Sequence, residues 1–129
     1  MAASTRFEDI IAWQEARKLT KRMYETTRRK PLARDFGLRD QIQCASVSAM
    51  SNVAEGFDCE SKVEFDRFLG IARRSAVEVT SLLYVAMDVG YRLDAEFTEH
   101  YEQARKTKAL IGGFKSSLTK STWHLVPRT

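Results

Sequence analysis

Apolar positions recur along most of this chain at spacings of three and four, the period of a helix packed on one side. Phe7, Ile10, Ile11, Ala16, Leu19 and Met23 form the first stripe and predict a helix from about Phe7 to Lys30. Thr5 and Glu8 have the spacing of a capping box at its start. Pro31 stops it, because the residue before a proline is driven out of the helical region. Trp13 lies beside the stripe, at the bundle edge or in a contact between subunits. A second helix is expected from about Leu38 to Glu55, with Asp35 as a candidate N-cap and Ile42, Ala45, Ala49 and Val53 turned inward. Small side chains cluster along it from Ala45 onward (Ser48, Ala49, Ser51, Ala54), which lets a neighbouring helix come close.

Gly56 is placed to close that helix in a left-handed conformation. Ser61 and Glu64 form the next capping box, and Phe65, Phe68, Leu69 and Ala72 begin a third helix running from about Ser61 to Val89. Gly90 ends it, and Asp94 reads as the N-cap of a fourth helix carrying Phe97, Tyr101, Ala104, Leu110 or Ile111, Phe114 and Leu118. Gly112 and Gly113 fall inside that last helix, where a kink or a close contact is expected. No segment alternates with the period of a strand. Four helices joined by short links predict an all-α, antiparallel, up-down-up-down four-helix bundle over residues 1–122. Residues 123–129 read as a tail, and LVPR at 125–128 resembles a protease-recognition sequence used in expression tags.

From Leu82 to Val89 (LLYVAMDV) the third helix is apolar in nearly every direction. Such a rod must be enclosed, and three companions cannot surround it. Leu82, Leu83, Tyr84, Val85, Met87 and Val89, with Trp13, are therefore the candidate oligomer interface.

Charge adds a second asymmetry. The chain has 21 basic and 17 acidic residues, a net +4. Nine of the basic residues and only three of the acids lie between Ile11 and Arg39, so this segment alone carries a net +6. Arg17, Lys18, Lys21, Arg22, Arg28, Arg29, Lys30, Arg34 and Arg39 could neutralise phosphates and release their counterions without reading sequence. The alternative is a solvated helix end, where cations favour the macrodipole in any case. No RNP-type aromatic motif, KH loop or zinc knuckle is present to read bases specifically.

The remaining chemistry is sparse. Cys44 and Cys59 are too few for a cysteine zinc site; Cys44 is expected as a buried thiol and Cys59 as a loop thiol. His100 and His124 lack the Glu-x-x-His pattern of di-metal bundles, so no metal or cofactor is expected, and His100 reads as a surface imidazole. No nucleophile elbow and no phosphate-cradling glycine loop occurs, which argues against an enzyme. Asn52 and Glu55 share a helix face and, with Gly56, Ser61 and Glu64, read as a polar clamp at the corner between helices two and three. Arg39, Arg67 and Arg73 are possible partners for Glu55, and a small-ligand site is the other reading. With no membrane-length apolar run and no secretory signal, a cytoplasmic location is expected.

Taken together, FEDIIAWQEARKL (Phe7–Leu19), FGLRDQI (Phe36–Ile42), SNVAEG (Ser51–Gly56), the Ser61, Glu64, Phe65, Phe68, Leu69 series and IARRSAVEV (Ile71–Val79) resemble a known family. It is the four-helix-bundle proteins encoded within intervening sequences of bacterial large-subunit ribosomal RNA. Their superfamily is shared with the accessory proteins of diversity-generating retroelements. The resemblance runs from Phe7 to about Leu118. It implies an antiparallel bundle assembled as a homopentamer, and no established activity for the ribosomal-RNA-associated branch. For the retroelement branch it implies binding to nucleic acid and to a reverse transcriptase. Where that family usually has glycine before the serine of the third helix, this chain has Arg74 before Ser75. The expectation is a non-catalytic assembly contacting RNA or DNA through its basic surface, or alternatively one that binds only protein partners.

Overall fold

The structure, a computed structural model, describes residues 6–91 and 94–120. Within them lie four helices: α1 (Ile11–Thr27), α2 (Phe36–Asp58), α3 (Lys62–Asp88) and α4 (Asp94–Lys120). Each packs against its neighbours around a ring, α1 on α2, α2 on α3, α3 on α4 and α4 on α1. The result is the antiparallel four-helix bundle that the apolar pattern predicts.

The start differs from expectation. Phe7–Asp9 form a 3-10 turn, and the chain then extends at Ile10 before α1 begins. This break resets the helical phase, so the buried stripe is Ala12, Ala16, Leu19 and Met23, while Ile11 turns outward. Trp13, expected at an edge or between subunits, is buried in its own bundle, with Phe7 edge-on at 5.1 Å. Gln14 donates from Nε2 to the Glu8 carbonyl at 2.8 Å, tying the turn to the helix. The proposed Thr5 cap lies outside the described residues. At its far end α1 stops at Thr27, short of Lys30. There Arg29 N–H turns back to the Thr26 carbonyl in a tighter closing turn.

Asp35 caps α2 as expected, accepting from Leu38 N–H at 3.1 Å, but the helix continues through Gly56 to Asp58. Gly56 is therefore not a left-handed terminator. A Cβ there would meet Phe65 Cδ1 and Phe68 Cβ, each at 2.8 Å, so the glycine is what allows α2 and α3 to touch. Ser61 accepts from Glu64 N–H at 3.2 Å and starts α3. The Glu64 carboxylate pairs with Arg67 at 3.0 Å. Gly90, with φ +88, ends α3 as predicted. The expected Asp94 cap rests on a side chain outside the described set, as do the 123–129 tail and His124. Through Gly112 and Gly113 α4 continues as helix; Gly112 approaches the Arg73 side chain, and nothing lies near Gly113.

The core has two greasy ends and a narrow waist. At one end Leu19, Met23, Leu38, Ile42, Val79, Leu83 and Ala86 pack together; at the other, Trp13, Val53, Phe65, Leu69, Ile111 and Leu118. Between them Ala16, Ala49 and Ala76 meet, one from each of three helices. Small side chains bring helices to the short end of their spacing range, and backbone carbonyls come within reach of hydroxyls. Around this level Thr20 Oγ1 donates to the Ser46 carbonyl (2.9 Å), Ser48 and Ser75 share a hydroxyl bond (2.8 Å), and Thr107 Oγ1 donates to the Glu15 carbonyl (3.3 Å). Arg74 points to solvent, so its bulk does not enter the α2–α3 contact that Ser75 makes.

Candidate nucleic-acid interface

The first and third connections lie at the same end of the bundle, because α1 and α3 both end there. Asp35 joins them: besides capping α2, it accepts from Tyr91 Oη at 2.7 Å. These two donors, Tyr91 first, hold its carboxyl below the ordinary range. The acid therefore stays ionised and fixed in place, tying the third connection to the start of α2.

The nine basic residues do not form one patch: Arg17 and Lys18 sit midway along α1, and the other seven lie toward this end. Three are paired: Lys18 with Glu15 of its own helix (2.8 Å), Arg22 with Glu99 of α4 (3.9 Å), and Arg29 with Glu96 of α4 through both guanidinium branches, Nη1 lying 2.8 Å from Oε1. Arg39 is held by Asp40 Oδ1 at 2.9 Å and donates to the Ala33 carbonyl at 3.2 Å. The other five, Arg17, Lys21, Arg28, Lys30 and Arg34, are exposed and have no carboxylate partner among the described residues. Arg17 and Arg28 lean over Trp13 and Tyr24, each 5.7 Å from the ring centroid. Sequence spacing did not separate the two groups, because two of the four neutralising acids, Glu96 and Glu99, come from the distant α4.

Glu15 and His100 are two buried polar residues whose roles the sequence did not indicate. Glu15 is bracketed by Lys18, Gln103 Nε2 (3.0 Å) and Lys106 (3.4 Å), with its carboxyl depressed to about 2, chiefly by the hydrogen bonds from Lys18 and Gln103. His100, expected on the surface, is buried. Its Nε2 lies 2.7 Å from Thr26 Oγ1, and burial lowers its pKa despite the nearby Glu96. Its position one turn after Glu96 on α4, facing α1, is the only sequence signal that could have found it.

The polar corner is smaller than expected. Asn52 Nδ2 donates to the Ser48 carbonyl and hydroxyl, both at 2.9 Å, and Ser48 reaches Ser75, so α2 and α3 are laced together. Glu55 is outside this network: it is exposed and makes no ion pair among the described residues, Arg39 and Arg67 being held elsewhere. Asn52 and Glu55 border an open groove of about 530 Å³ along the outer face of α2. Cys44 also lines it and is exposed, correcting the expectation of a buried thiol; Cys59 is half-buried at the helix end.

On α3 the predicted interface divides. Leu82 and Leu83 belong to the core of their own bundle, whereas Tyr84 (45%), Val85 (43%), Met87 (43%) and Val89 (56%) stay exposed. Tyr84 packs edge-on against Phe97 (5.1 Å) and Tyr101 (5.8 Å) of α4. Among the described residues no helix is long and apolar enough to cross a membrane, and no His, Cys, Asp and Glu group is arranged to hold a metal.

Fold and surface together define a small helical bundle with a cationic end. The chain belongs to the family described as 23S rRNA-intervening sequence protein, which matches residues 8–113. A solved structure from Bacteroides thetaiotaomicron VPI-5482, a protein with unknown function from the S23 ribosomal protein family, shares the fold. It has a TM-score of 0.76 at 16% identity, covering 82% of this chain and 96% of that one. Among curated proteins none matches this chain.

Proposed function

We propose that this protein is a non-catalytic, homo-oligomeric scaffold of the cytoplasm that contacts RNA through the cationic end of its bundle. The observation that carries this reading is the set of five exposed cations, Arg17, Lys21, Arg28, Lys30 and Arg34, none of them in an ion pair with a carboxylate among the described residues. Cations in that state can exchange counterions for phosphates, giving affinity that falls steeply with salt. The homopentamer implied by the family resemblance would present one such patch per subunit, so individually weak contacts multiply.

The test is retention of labelled RNA at increasing salt. Arg28→Glu, Lys30→Glu and Arg34→Glu together are expected to lower affinity at least tenfold and flatten the salt dependence, with helicity and mass unchanged. Arg29 is left intact because its pair with Glu96 ties α1 to α4. Binding that persists in the triple variant would overturn the reading. The second reading, an assembly that binds only protein, is favoured by the exposed Tyr84, Val85, Met87 and Val89. It predicts no salt-dependent RNA retention at all.

A further inference from the structure

We infer that the first residue of α2, Phe36, is a stacking platform for an unpaired base, so that the cationic end prefers single-stranded RNA to duplex. This rests on the proposed RNA contact and adds the class of strand recognised. Phe36 is 63% exposed, among the most exposed large apolar side chains of the described residues, and it belongs to none of the core clusters. Its ring is not loose. The Arg39 guanidinium sits over it at 4.7 Å and is itself fixed by Asp40 Oδ1 and the Ala33 carbonyl. One side of the ring is thus backed by a cation held in place, and the rest faces solvent.

The surroundings suit a nucleotide. Lys30 and Arg34, in the turn that leads into α2, are exposed and free of carboxylates among the described residues. Of the two acids nearest in sequence, Asp40 is paired with Arg39, and Asp35 is turned to Tyr91 and the Leu38 N–H, which fix its carboxylate in place. On this inference a base lies on the open ring, and Lys30 and Arg34, which precede Phe36 in the same connection, supply the cations for its flanking phosphates. An aromatic face accepts any base, and a backing cation strengthens the stack. In a duplex the faces of the bases are already covered by their neighbours, so this platform has nothing to receive.

The experiment measures binding of the full-length protein, by fluorescence anisotropy, to three labelled probes. These are an unstructured RNA of about 12 nucleotides, the same ribose-phosphate chain without bases, and a duplex of equal length. The wild type is expected to bind the single strand about tenfold more tightly than the abasic chain. Phe36→Leu, which keeps apolar bulk but has no π-face, should erase that margin while leaving the salt dependence and the mass by light scattering unchanged. Phe36→Trp should keep or widen it. Equal binding of normal and abasic strands by the wild type, or a margin that survives Phe36→Leu, overturns the platform while leaving the phosphate contacts standing. A change of mass in Phe36→Leu with the margin intact makes Phe36 a protein contact instead. Salt-independent or absent binding of all three probes overturns this inference and the RNA reading together.

Discussion

Glu15 shows how a single buried charge is kept in this bundle. Its carboxylate is almost entirely removed from solvent, and three donors from two helices replace the lost water: Lys18 from α1, Gln103 and Lys106 from α4. With its carboxyl held at about 2, below the ordinary 4.5, the folded state binds this proton less readily than the unfolded chain. The stabilisation is therefore complete above about pH 4.5 and is lost as pH falls toward 2. Glu15→Gln should remove this part of the acid sensitivity, on the order of 2 kcal/mol, in denaturant melts at pH 5 and pH 2.5. His100 contributes in the same sense at higher pH. Burial disfavours its charged form, so the stability it provides is present above its unfolded pKa and declines as pH drops through its lowered folded value. Neither residue was legible as buried in the sequence. Glu15 sits one position from Ala16 on the stripe and could have been a surface acid; only the approach of α4 decides otherwise.

At the scale of elements, the periodicity carried far. The positions of α2, α3 and α4, the Asp35 and Ser61 caps, and the Gly90 stop were all readable, because each depends on residues within one turn of itself. The errors arose where a local signal had two physical solutions. Gly56 suited either a left-handed stop or a close helix crossing, and the ring of Phe65 and the Cβ of Phe68 settle it as the crossing. Gly56→Ala is accordingly expected to lower stability by about 1–3 kcal/mol through overpacking, read as a drop in thermal midpoint. A left-handed terminator would instead appear as backbone strain at a position with open space, like Gly90, where a Cβ would meet nothing. In the first stripe Ile10, Ala16, Leu19 and Met23 are buried as read and only Ile11 turns outward, because a 3-10 turn and one extended residue shift the phase by a fraction of a turn, which spacing alone does not record.

For the whole molecule, the apolar rod Leu82–Val89 is only half answered by the bundle. Leu82, Leu83 and Ala86 go inward, and Tyr84, Val85, Met87 and Val89 remain on the surface near the cationic end. On the proposed assembly these four are covered by another copy. Val85→Glu, which introduces a charge on the outward side and touches none of the core clusters, should then reduce the mass measured by light scattering while leaving helicity intact. An unchanged mass would assign the oligomer contact elsewhere. The amino-acid order alone determined that this chain makes four helices, the caps that start α2 and α3 and the glycine that stops α3, and that its cations crowd the first turn, since all of these follow from neighbours in sequence. Which cations are neutralised, which acids and imidazole are buried, and which half of the apolar rod meets water were decided only in three dimensions. Those outcomes depend on α4 lying against both α1 and α3, and residues so far apart in the chain leave no mark of their meeting in its local pattern.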